Sequence, residues 1–86
     1  MKLPIIKHLT SFIEDNDQDY LLEAIETLEF LTELPSLKDE ELNLIAELIS
    51  NMYGAIEVHK MTKDGIPKKE ALNNFMQRVL GSIDKA

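Results

Sequence analysis

LNLIAELISNMYGAIEVHKMTK, Leu42 to Lys63, is the stretch whose reading decides the fold. At about 100° per residue its apolar positions fall on one continuous arc. Leu42, Ile45, Ile49, Met52, Ile56 and His59 form a spine at alternating spacings of three and four. Leu44, Leu48 and Ala55 flank it on one side, Ala46 and Tyr53 on the other. The arc covers about 200°, wider than the stripe of about 100° that a surface helix needs to face one core. Asn43, Glu47, Ser50, Gly54 and Glu57 fill the remaining polar strip. A helix apolar over more than half its circumference has neighbours on two sides. In a chain of 86 residues, the second neighbour is read as another copy of the same chain.

Working outward, Asp39, Glu40 and Glu41 suit the positive end of this helix, with Ser36 or Asp39 as the expected cap. Lys60 and Lys63 suit its negative end, and Asp64-Gly65 is a stop in which glycine is free to turn left-handed. The helix is therefore predicted over about 39–64. Upstream, a helix from about Asp19 to Glu33 places Leu21, Ala24, Ile25, Leu28 and Leu31 on one face, with Tyr20 at its edge. Phe30 points almost opposite, beside Glu23 and Glu26, which hints at a contact outside the core. Pro35 ends that helix by disfavouring helical geometry in the residue before it. The first helix begins near Pro4, which suits a first turn, and carries Ile5, Leu9, Phe12 and Ile13. The polar run 14–19, EDNDQD, breaks the chain between the two. Pro67 opens a last helix with Leu72, Phe75, Met76, Val79, Leu80 and Ile83 on a narrow face. Lys68, Lys69, Asn73, Asn74, Gln77 and Arg78 lie opposite. No window alternates with period two. The reading is all-α: one domain, 1–86, a small four-helix antiparallel bundle built on a long central third helix and assembling as a homodimer.

Chains this short bury a modest share of their surface and often need a staple or a partner. Cysteine is absent, so disulfides and thiolate chemistry are excluded and dimerisation is the remaining common remedy. No apolar run approaches the ~20 residues of a membrane span, and the start lacks the pattern of a signal peptide, so the expected location is the cytoplasm. The net charge of −7 is segregated. Residues 10–50 carry twelve acids against one base, Lys38, and the rest carries eight bases against four acids. Such a surface disfavours nucleic acid and anionic lipid. Solvated helix faces account for most of these acids, and a docking surface for a basic partner is the sharper reading.

Three constellations bear on chemistry. Asp15, Asp17, Asp19, Glu23 and Glu26 match the spacing of acids in an EF-hand calcium loop, which makes a calcium-responsive helix–loop–helix the alternative function. Against it, Tyr20 stands where that loop needs glycine, and the segment after it already reads as helix. Ser36-Leu37 resembles the modified serine of acyl carrier proteins, but Pro35 replaces their aspartate. His59 lies on the apolar spine with no second ligand three or four residues away, so core or interface is the favoured role. Catalytic residues and cofactors are not expected. Met52, Tyr53 and Met61 are read as core filling ahead of an adaptable groove. Gly54 in mid-helix costs about 1 kcal/mol relative to alanine, and the close approach of a helix or of a partner's backbone is the motive inferred for it.

MKLPIIKHL at the start, ELISNMYGAIEVHKM in the long helix and KKEALNNFMQRVLGSIDK at the end resemble a family of short bacterial proteins known as a domain of unknown function. The resemblance covers nearly the whole chain, carries no catalytic or ligand motif, and implies a compact bacterial cytoplasmic protein. The expected function is a non-enzymatic interaction module acting as a homodimer. Its expected partners are a second copy and a protein with a basic or apolar surface. Phe30, Leu44, Leu48, Met52, Tyr53, Ala55 and His59 are the interface candidates.

Overall fold

The computed structural model describes residues 3–84, and the side chains of 4–78. Four helices follow one another: α1 Leu3–Asp15, α2 Asp19–Leu31, α3 Asp39–Lys63 and α4 Lys68–Asp84, with no strand among the described residues. The helix boundaries fall within a few residues of those read from the sequence. Val79, Leu80 and Ile83, expected on the apolar face of α4, lie outside the described side chains.

α3 is the longest helix, and α1, α2 and α4 each pack on it, while α1 also touches α4. The wide apolar arc of α3 therefore has neighbours on two sides within its own chain. Ile6 of α1 lies against Gly54, and Ile13 and Glu14 stand beside His59 and Lys63, so α1 and α3 run the same way. α4 runs against both, because its Lys68 reaches Ser11 and Glu14 while its Phe75 reaches Gly54.

The crossing point is Gly54. A Cβ there would stand 3.1 Å from both Ile6 Cδ1 and Phe75 Cζ, so the missing side chain lets α1 and α4 close on α3 together. Of the two motives for Gly54, the close approach of helices is present, and it comes from within the chain. This corrects the placement of Gly54 on a polar strip. The buried residues of the second half of α3 are Asn51, Gly54, Ala55 and Val58, an arc beside the Met52–Ile56 spine rather than the spine itself. Met52 and Ile56 are half-buried against the same core. In α1 the buried set is Ile6, Thr10 and Ile13; Phe12 is 40% exposed and meets Tyr20 edge-on at 5.8 Å between ring centroids. Thr10 and Asn51 bury polar groups and donate to carbonyls one turn back. Thr10 Oγ1 donates to Ile6 O at 2.7 Å and Asn51 Nδ2 to Glu47 O at 2.8 Å.

The two ends of α3 are finished differently. Neither Ser36 nor Asp39 caps the start. Lys38 is the N-cap, and Glu41 reaches back so that its Oε1 accepts from the Lys38 backbone N–H at 2.9 Å. At the other end Gly65 adopts φ 99°, Ile66 N–H donates to Met61 O and Gly65 N–H to Thr62 O. This Schellman arrangement leaves Ile66 and Met61 both packed on the core.

The whole is flat, 44 × 35 × 17 Å, with a radius of gyration of 13.9 Å. A compact chain of this length is expected near 12 Å.

Candidate functional site

The first half of α3 and the end of α2 carry what the core leaves uncovered. Leu44, Leu48 and Ala55 share one row of α3 at spacings of four and seven. α1 covers the lower part of that row, where Ala55 is 0% exposed beside Ile6. Further up, Leu44 is 59% and Leu48 37% exposed. The row continues past the cover.

α2 packs on α3 through Leu21 and Ile25, one turn apart. That leaves Phe30 on the far side, 75% exposed. Beyond the helix end the chain turns back on itself, with Glu33 N–H donating to Phe30 O and Leu34 N–H to Leu31 O, both at 3.1 Å. Phe30, Leu31, Glu33, Leu34 and Pro35 then line a shallow apolar cleft of about 300 Å³. Glu23, Glu26, Glu29 and Glu33 are all exposed, and among the described residues none has an ion-pair partner. Bases gather elsewhere: Lys7, Lys68 and Lys69 line a cleft between α1 and α4.

The interface candidates are divided by this geometry. Phe30, Leu44, Leu48 and Tyr53 are open to solvent. Ala55 is consumed by the intramolecular core and cannot touch a partner, a correction that follows from α1 lying on it. Met52 is half-buried on the core. His59 is half-buried beside a polar cleft of about 320 Å³, together with Ile13, Glu14, Asn16, Asp17, Gln18 and Lys63. Its Nδ1 is buried with no hydrogen-bond partner. Leu31 and Leu34 are surface residues that the helical wheel missed. Leu31 belongs to the apolar stripe by spacing, and Leu34 lies past the helix end, where periodicity carries no information.

The calcium-loop alternative fails on backbone. α2 begins at Asp19, so positions five to twelve of the would-be loop are helical and turn their carboxylates apart. Tyr20 lacks the positive φ that the sixth position needs, since among the described residues no non-glycine has one. Asp17 instead caps α2, its Oδ1 accepting from the Asp19 N–H at 3.1 Å. Among the described residues no three His, Cys, Asp or Glu side chains converge to hold a metal ion. No described helix is long and apolar enough to cross a membrane.

Fold and surface together define a small all-α protein organised on one long helix, with uncovered apolar side chains set among acids. The chain belongs to a family of unknown function (DUF6952), which matches residues 1–84. Comparison with curated proteins and with solved structures gave no match.

Proposed function

We propose that the chain is a non-enzymatic helical interaction module that acts as a homodimer in the bacterial cytoplasm. The observation that carries this reading is surplus surface. The chain exposes 6100 Å². A compact monomer of 9.8 kDa is expected to expose about 5200 Å². The excess, about 900 Å², is close to the ~800 Å² that each partner contributes to a standard interface. The Leu44–Leu48 row is the surface assigned to the second copy, because it extends a stripe already used for packing on the same helix. The flanking acids Glu40, Glu41 and Glu47 oppose this pairing, so apolar contact holds it and salt strengthens it by screening the repulsion.

Sedimentation equilibrium over a range of concentrations tests the reading. The expected result is twice 9.8 kDa persisting to low concentration, reverting to 9.8 kDa with unchanged helicity in a Leu44→Glu, Leu48→Glu double variant. A wild-type chain that sediments as a monomer throughout defeats the homodimer.

A further inference from the structure

We propose that the apolar cleft at the C-terminal end of α2 docks a basic amphipathic helix of another protein, with one apolar side chain seated against Phe30 and Leu34 and lysines or arginines facing Glu26, Glu29 and Glu33. The inference rests on the reading of this chain as an interaction module, and not on its being a dimer.

Three features meet at this one end of the molecule. The first is the cleft itself, about 300 Å³, lined by Phe30, Leu31, Leu34 and Pro35 with Glu33 as its acidic member. Phe30, at 75% exposure, makes little of its apolar area available to its own core, whereas aromatic side chains are the commonest anchors of interfaces. The second is charge. Glu26, Glu29 and Glu33 are exposed, and among the described residues no cation pairs with them. The third is the direction of α2. Its last turn is the negative end of the helix macrodipole, where cations are favoured, yet it contains no base. Glu29 and Glu33 therefore stand at the end of α2 that least suits them. A cationic segment removes that conflict, and an apolar residue on the same segment fills the cleft.

Charge also decides against a second copy at this cleft. A two-fold pairing would set Glu26, Glu29 and Glu33 against themselves, and Lys38 is the only base between residues 10 and 50. Helix-in-groove docking with apolar anchors one turn apart is a recurrent mode of recognition.

The test is fluorescence anisotropy with a labelled amphipathic leucine–lysine peptide and a peptide of the same composition whose order destroys the amphipathic face. The wild-type chain is expected to bind the first peptide more tightly than the second, with affinity falling as salt is raised. Phe30→Ala and a Glu29→Gln, Glu33→Gln double variant are each expected to weaken binding about tenfold, the effect of losing one interface anchor. Equal binding of both peptides, or binding indifferent to Phe30→Ala, overturns the proposal, as does no binding at all. Sedimentation of the same Phe30→Ala protein separates the two readings. A dimer that persists leaves the homodimer untouched whatever the peptide does, and a dimer that dissociates assigns the cleft to a second copy and overturns this inference.

Discussion

The two halves of α3 are built from similar residues and end in opposite conditions. The second half is enclosed: α1 and α4 converge on Gly54, Ala55 and Val58 are fully buried, and Gly65 closes the helix in a left-handed turn. The first half has α2 on one side and leaves Leu44 and Leu48 uncovered, with a carboxylate as its only capping bond. The difference lies less in hydrophobicity than in what approaches. One small residue admits two helices to the second half, and nothing equivalent draws a neighbour onto the first. Apolar content thus marks surface that has to be covered, and small residues mark where the chain itself covers it.

The comparison breaks most directly at Gly54. Gly54→Leu forces a branched side chain between Ile6 and Phe75, already 3.1 Å from where a Cβ would sit. The expected loss is on the order of 3 kcal/mol, the upper end of overpacking costs, read as a drop in urea midpoint. In a domain this small such a loss removes much of the stability. Gly65→Ala tests the closed end of the same half. A φ of 99° is unfavourable for alanine, and about 1–2 kcal/mol is expected to be lost even though space around it is open. On the open half, Glu41→Ala removes the bond to the Lys38 N–H and is expected to cost about 0.5–1 kcal/mol by the same measurement. Smallest of all, Phe30→Ala is expected to leave thermal unfolding within about 0.5 kcal/mol of wild type, since that ring is hardly buried. A larger loss would mean that Phe30 belongs to the core and would erase the contrast.

Helix number, order and boundaries were legible because the signals are local: Pro4 and Pro67 near helix starts, Gly65 at a stop, and acids and bases placed to suit each end of α3. Helix rotation was less so. A wheel gives the apolar face of α3 but not which neighbours take it, and it sorts residues by side-chain polarity. By polarity Gly54 sorts with the polar residues because it has no side chain, and that absence is why it is buried. Thr10 and Asn51 were overlooked for a related reason. Each donates to a carbonyl of its own helix, which lets a polar side chain sit among apolar neighbours. At the candidate surface, Phe30, Leu44 and Leu48 were readable as surplus. Leu34 was not, since its position depends on the turn after α2.

The contact among Ile6, Gly54 and Phe75 also has a consequence in time. α2 with α3, and α3 with α4, are neighbours in sequence and can pair across short loops, whereas α1 reaches Gly54 only after the intervening chain has been closed up. α1 is therefore expected to dock last. Ile6→Val, which trims one methylene from the crossing, should accelerate unfolding and leave the folding rate nearly unchanged in stopped-flow measurements. If folding slows instead, the crossing at Gly54 is where the structure begins.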